Sequence, residues 1–454
     1  MSLHANRRQF LKTSAAVVGG DWVAAGAQAK ESKSPNEKVR IACVGVGGKG
    51  QSDSQDASTR AEVVAICDVD ELRVNKAAER KGFEKAKKYF DFRKMLDEME
   101  KQIDAVTVST PDHCHAPASV MAMRMGKHCF CQKPLTHTIY EARVMAQVAR
   151  EKKLATQMGN QGTAMSDLRR AAAIIRAGVF GDVKEVHVWT NRPIWPQGGS
   201  RPEPSPVPAT LKWDLWIGPA PMRPYSDKAY HPFAWRGWWD FGTGALGDMA
   251  CHTMNMPYMA LDLRDPISVQ ARSSGHNKDS YPQWSVITYE FAANAKRPAL
   301  KLFWYDGGER PSNDLLPPKD EIIKFLKLTP KKYKPASSGC LVIGEKGNLY
   351  TPNDYGAKYM LTNNLTEPQV TFPESPGHFD EWINAIKGGP APMSNFPNYS
   401  GPLTETVLLG NLAVWAASSG EGKKIEWDAK NLKTKNAPEV EHIIKMQYRE
   451  GYTL

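Results

Sequence analysis

Asp248 and His252 stand four apart in the glycine-rich, apolar run DFGTGALGDMACHTMNM, residues 240–256. In a helix that spacing projects both side chains from one face, about one turn apart. An acid beside an imidazole can act as tuning partner and general base; the two can also ligate a metal, or simply pair on a surface. Gly242, Gly244, Gly247, Met249 and Met254 favour a close-packed helix entering a site over a solvated face. No third ligand is identifiable, so no metal is expected. Seven of the 13 tryptophans (Trp189, Trp195, Trp213, Trp216, Trp235, Trp238 and Trp239) precede Asp248 within 60 residues. Indole faces stack on the C–H faces of sugars, although most of these rings are expected to be packing. Trp235 and Arg236 are candidates to contact substrate together with Asp248 and His252; Tyr230 and His231 are reserve candidates for the base.

A second constellation is Gly45-Val46-Gly47-Gly48-Lys49-Gly50, a G-x-G-x-x-G that directly follows the β-branched run 38–44. The first glycine permits a tight turn, the second lets backbone approach a pyrophosphate, and the third lets helix and strand pack closely. Asp68 ends the next apolar run, 18 residues after Gly50, where an acid is wanted for ribose hydroxyls. The same carboxylate would repel a 2′-phosphate, so the expected cofactor is NAD and not NADP. Arg73, the nearest arginine, is expected in a helix.

Helical patterns at 71–82, 91–100, 114–126 and 136–153 alternate with short strands near 88–90, 103–109, 128–131 and 154–158. Such alternation predicts a parallel, doubly wound sheet, whose ligands bind beyond the carboxyl ends of the strands. Those ends carry Gly45, Asp68, Thr110-Pro111 and Gln132-Lys133, with Pro134 stiffening the turn after the lysine. Past residue 161 the pattern changes: nine prolines between Arg192 and Pro224 predict a long irregular loop. A helical pattern at 164–177 and a strand candidate at 183–190 precede that loop, and strand candidates at 267–272, 284–292, 299–306, 340–344 and 347–351 follow it with no helices between them. They predict a mostly antiparallel open sheet, with helices at 378–388, 403–419 and 440–449. The fold class expected is α/β: a Rossmann domain over 38–160 and an α+β substrate-binding and oligomerisation domain over 161–454, after a 1–37 leader and linker.

Hydrophobic residues at 41% and charged residues at 24% describe a globular chain and exclude disorder and a multi-pass membrane protein. The excess of 59 Lys+Arg over 49 Asp+Glu is spread along the chain beyond KGFEKAKK (81–88) and LTPKKYK (328–334), so no nucleic acid partner is expected. Seven cysteines make no disulfide framework at this length. The clusters HCH (113–115) and HCFC (128–131) read as core packing. Asn6-Arg7-Arg8-Gln9-Phe10-Leu11-Lys12, a mild apolar stretch and Ala27-Gln28-Ala29 resemble a twin-arginine export signal, which implies a periplasmic protein; a cytoplasmic one with a basic tail is the alternative. No other apolar run approaches the length of about 18 residues needed to span a membrane.

Taken in order, Gly45 to Gly50, Ser109-Thr110-Pro111 with His115, Gln132-Lys133-Pro134, and Asp248 with His252 resemble the glucose-fructose oxidoreductase and inositol dehydrogenase family (Gfo/Idh/MocA). The resemblance runs from about residue 38 to 430. It implies NAD contacts from Gly45, Gly47, Gly48, Gly50, Asp68, Thr110, Pro111, His115, Gln132 and Lys133, and a catalytic set of Lys133, Asp248 and His252. Gln132 departs from the glutamate usual in that family. The implied activity is hydride transfer from a sugar, polyol or glycoside to NAD. His252, with a near-neutral pKa, would take the hydroxyl proton, Asp248 would orient it, and Lys133 would stabilise the alkoxide. The alternatives are an NAD-dependent glycosidase that oxidises its sugar transiently, and a non-catalytic binder. A homo-oligomer joined through the open sheet is also implied.

Overall fold

The computed structural model describes residues 38–454; the export-signal expectation falls on residues outside these. β1 (Arg40–Val44), β2 (Glu62–Cys67), β3 (Lys87–Tyr89), β4 (Ala105–Val108), β5 (His128–Cys131) and β6 (Thr156–Met158) form one sheet in the order β3-β2-β1-β4-β5-β6. Every pairing is parallel. Ile41, Ala42, Cys43 and Val44 are all buried, because a central parallel strand is covered by helices on both faces. Cys67, Cys129 and Cys131 are buried beside them as free thiols, in the packing role expected.

The strand order reverses between β1 and β4, and this switch point opens the crevice for a ligand. Two glycines make the geometry there. Gly45 has φ +81, and a Cβ on it would lie 2.5 Å from the Ser109 carbonyl oxygen. A Cβ on Gly50 would lie 2.0 Å from the Gly45 oxygen, so only glycine lets the Lys49–Arg60 helix start this close to β1.

β7 (Val183–Trp189), β8 (Ser268–Ser273), β9 (Ser285–Phe291), β10 (Leu300–Tyr305), β11 (Gly339–Gly344), β12 (Asn348–Thr351), β13 (Met360–Leu361), β14 (Ile425–Asp428) and β15 (Lys433–Thr434) form the second sheet. Its order is β13-β12-β11-β7-β10-β9-β8-β14-β15, antiparallel except where β7 meets β10. Leu300, Leu302 and Trp304 point to the buried face and Lys301 to the other, the period-2 alternation of a half-covered strand.

Four departures from the sequence expectation have tertiary causes. A helix, Lys319–Leu326, forms between β10 and β11 where no helix was expected, and its Ile322 packs with Trp189, Leu341 and Tyr350 of the sheet. The helix His378–Ile386 does not stay with the second sheet: Phe379 stacks on Phe130 at 4.3 Å and Trp382 donates to the Ala155 carbonyl at 3.1 Å, closing the first domain's core. The proline-rich loop contains a short helix, Trp213–Ile217, held where Trp213 stacks on Trp216 at 4.7 Å. Of the helix expected at 440–449 only Glu441–Ile444 forms, and Arg449 beyond it turns away to bond the Pro219 backbone. No helix among the described residues is long and apolar enough to cross a membrane.

Candidate active site

A cleft of about 500 Å³ runs from the glycine turn after β1 to the helix Gly244–Thr253. At its first end Gly47, Gly48 and Lys49 line the wall, and the helix that begins there has no side-chain cap. Its first turn, which no side chain caps, and the positive end of its dipole suit a pyrophosphate. Asp68 lies alongside, accepting hydrogen bonds from the Val46 amide at 3.0 Å and the Asp70 amide at 3.1 Å. Burial raises its pKa, while these amides and Arg73 oppose the rise. Arg73 is helical as expected, on Glu71–Ala78, but its guanidinium folds back over Gly47, where a Cβ would lie 2.0 Å from Nη1. These residues fit an NAD: an amide-lined turn, an acid at the end of β2, and a cleft long enough to continue toward Lys133.

The second domain reaches over this end. The Glu71 amide donates to the Thr210 carbonyl and the Lys212 amide to the Val69 carbonyl, both at 2.9 Å. His231 Nε2 lies 3.1 Å from Asp70 Oδ2. The expectation that His231 is a reserve base places it wrongly: it clasps the rim of the glycine-turn end. Tyr230 is buried among Trp213, Trp238 and Phe241 and lines no part of the cleft.

At the other end, Lys133 Nζ donates to the Asp248 carbonyl at 2.6 Å and to Asp248 Oδ1 at 3.0 Å. Arg236 Nε donates to the same Oδ1 at 3.1 Å, and Arg192 Nε lies 3.7 Å from Oδ2. Although burial pushes the Asp248 carboxyl up, Lys133 and Arg236 hold it well below the usual range. His252 is buried one turn on, its Nδ1 has no hydrogen-bond partner, and its ring meets Tyr355 edge-on at 5.2 Å. Two expectations are corrected. Asp248 is tied to the cations and not to His252, and the His252 pKa is not near neutral: burial, with Lys133 next, pushes it down to about 3.

The remaining sequence candidates divide. Thr110, Pro111, Gln132 and Trp235 line the cleft. His115 does not: it is buried behind the wall, its ring nitrogens 2.8 Å from the Pro134 carbonyl and 2.9 Å from the Thr110 carbonyl, so it fixes two loops and is not a cofactor contact. Gly50 acts by close packing, as described. Gln132 has a physical explanation. Its amide donates at 2.8 Å to Asp53, which is buried and also takes bonds from Lys49 and Ser109. A glutamate there would set two carboxylates against each other in the interior.

Sequence reasoning missed Arg192, Tyr355 and Asp354, which also line the cleft. Arg192 had a signal, lying just past the carboxyl end of β7; Asp354 and Tyr355 sit in the loop between β12 and β13, which no spacing connects to His252. Among the described residues no group of three or more His, Cys, Asp or Glu stands where it could hold a metal.

An NAD-type Rossmann domain whose strand end carries Lys133 and faces an Asp-His pair borne on a second, open-sheet domain defines a class of two-domain dehydrogenase folds. Residues 39–160 match the family described as "Oxidoreductase family, NAD-binding Rossmann fold" and residues 171–297 its "C-terminal alpha/beta domain". The chain belongs to the Gfo/Idh/MocA oxidoreductase family, and its first domain is an NAD-binding Rossmann domain. Among curated relatives, an alpha-N-acetylgalactosaminidase of Shewanella oneidensis is 29% identical over 205 residues, covering 39% of this chain and 44% of the relative. An inositol 2-dehydrogenase of Rubrobacter xylanophilus is 32% identical over 124 residues, covering 26% and 34%. The chain thus spans less than half the length of these relatives. The WlbA dehydrogenase of Bordetella pertussis, solved with NADH and UDP-GlcNAcA, shares the fold with a TM-score of 0.55 at 17% identity, over 86% of this chain and 99% of that one.

Proposed function

We propose that this chain is an NAD-dependent oxidoreductase acting on a CH–OH group of a sugar, polyol or glycoside. The observation that carries the reading is the Lys133 amine locked onto Asp248 one helical turn from a buried, neutral His252, in the cleft that continues from the glycine turn. NAD, held by the Gly45–Lys49 turn and Asp68, would supply the hydride acceptor. His252, which burial keeps in the neutral form, is the group placed to take the hydroxyl proton, and the Asp248 charge favours the protonated ring that results. Lys133 carries the fixed positive charge that stabilises the developing alkoxide, and Asp248 holds that amine in place. Trp235 and Trp195 wall the substrate side and exclude water.

Titrating the purified protein with NAD and a panel of sugars, polyols and glycosides tests this. Reduced nicotinamide must appear in proportion to substrate, and its absence across the panel overturns the reading. One observation favours a second reading, transient oxidation within a glycosidase: the His231–Asp70 clasp and the backbone bonds beside it close over the glycine-turn end, which suits a cofactor that stays bound through the cycle. Cleavage of a chromogenic glycoside without added NAD, and with no net reduction, identifies that case. Our reading includes export, carried by the Arg7-Arg8 pattern; a mature chain retaining residues 1–29 overturns it. It also includes a homo-oligomer, which light scattering checks.

A further inference from the structure

At the substrate end of the cleft three cations converge on one carboxylate. Lys133 and Arg236 both bond Asp248 Oδ1, and Arg192 stands off at 3.7 Å from Oδ2. One carboxylate neutralises one cation. Asp354, another acid on this side, forms an ion pair with none of the three among the described residues, while Asp112, which accepts from Thr243, faces Arg236 and Lys133, whose charges oppose the rise that burial gives its pKa, to about 6. Lys133 takes the close, doubly bonded position; of the two guanidinium groups, Arg236 shares Asp248 with it, and Arg192 has no carboxylate within hydrogen-bond distance among the described residues. They are also accessible: the side chains of Arg192 and Arg236 retain 23% and 21% of their exposure, toward a cleft of which both are wall.

Arg236 is fixed for recognition. Its guanidinium lies 4.2 Å from the Trp235 ring centroid and 4.7 Å from that of Phe233, and Nη1 donates to the Phe233 carbonyl at 3.1 Å. Stacking on aromatic faces leaves the guanidinium edge for an acceptor, and a guanidinium edge matches a planar carboxylate with two parallel bonds. A guanidinium such as Arg192 that lacks a close carboxylate in a half-buried cleft is costly until an anion arrives, whereas a neutral sugar hydroxyl supplies no charge. Resting on the reading of this cleft as a sugar site, the geometry points to a substrate that is a uronic acid or uronate glycoside, its carboxylate held by Arg192 and Arg236 beside the Trp235 and Trp195 rings.

Calorimetry on the NAD-loaded protein tests this without requiring turnover. The probes are methyl glucuronide and methyl galacturonide, the matching neutral methyl glycosides, and galactose 6-sulfate. The uronides should bind about ten- to a hundredfold more tightly than their neutral partners, the range expected of a charge-assisted contact. Arg192→Gln should remove most of that preference while NAD affinity and the circular dichroism spectrum stay unchanged; Arg192→Lys should restore part of it. Equal affinity for acid and neutral sugars, no uronide binding, or a sulfate ester bound as well as the uronides each overturns the proposal. The two readings fail separately. Uronide binding without any reduced nicotinamide sinks the oxidoreductase reading alone, and oxidation of neutral sugars with no uronide preference sinks the uronate proposal alone.

Discussion

The glycine-turn end of the cleft is made mostly by one stretch of chain, residues 45–73, whereas the substrate end draws Lys133, Arg192, Arg236, Asp248, His252 and Tyr355 from far-separated segments. The first end works through backbone: amides at an uncapped helix start, carbonyls that demand glycine, and an acid at a strand end. The second works through charge, with Asp248 as the hub that keeps an amine and two guanidinium groups together. Backbone geometry tolerates little, because a misplaced methyl meets another backbone atom. A charge network can redistribute when one member is lost, so its failures show first in rate and selectivity.

The largest effect that separates the two ends should come from His252→Ala. Loss of a positioned proton acceptor typically costs about 100- to 10,000-fold in rate, and NAD affinity should stay near normal because the glycine-turn end is untouched. Lys133→Ala should cost a comparable factor, and the double variant little more than the worse single one, since the two act on the same proton and oxygen. Steady-state kinetics with NAD titrations check both; near-normal turnover by His252→Ala removes it as the base.

Gly50→Ala is the opposite experiment. Its Cβ would lie 2.0 Å from the Gly45 oxygen, a backbone atom that cannot step aside. Overpacking of this kind costs about 1–3 kcal/mol, and NAD binding should be lost with it. Gly47→Ala meets the Arg73 side chain, which can swing away, so the fold should stay as stable as before, while the added methyl stands where the pyrophosphate approaches the backbone and should weaken NAD binding. Thermal melts with and without NAD read the contrast, and equal behaviour of the two variants contradicts it.

Asp70→Ala removes the acceptor of His231 at the rim. Release of NAD should accelerate about tenfold, the value of one partly buried charge-assisted contact, with the chemical step unchanged. Stopped-flow displacement of bound NAD measures this; an unchanged release rate shows that the clasp does not retain the cofactor.

The smallest effect is on pH. A histidine of ordinary pKa would be protonated as pH falls from 7 to 5, and activity would drop with it. Burial and Lys133 depress the His252 pKa to about 3, so it stays neutral and kcat/KM should hold through that window. Asp248→Asn should move the acid limb lower still, because the Asp248 charge is what favours the protonated ring. An acid limb near 6.5 in the unmodified protein contradicts the burial argument.

Gly45 to Gly50, Asp68 and the alternating elements around them were legible because each depends on neighbours in sequence: a turn, a strand end, a helix start. Asp248 and His252 were legible as a pair for the same reason, one helical turn. Their roles were not. That Asp248 would face Lys133, 115 residues away, and turn from the histidine beside it depends on how the two domains meet. His115 looked like a cofactor contact until its burial behind Thr110 and Pro134 was known.

The sequence by itself therefore determined the class of fold, the dinucleotide turn and the identity of the lysine, acid and histidine, since periodicity and glycine placement act over a few residues. Only the tertiary structure decided that Gln132 answers a buried Asp53, that His231 clasps Asp70, and that Arg192 and Arg236 join Lys133 on one carboxylate. The physical reason is that charge pairing and desolvation act through space. They are set by which side chains the packed domains bring within a few ångströms, whatever their separation along the chain.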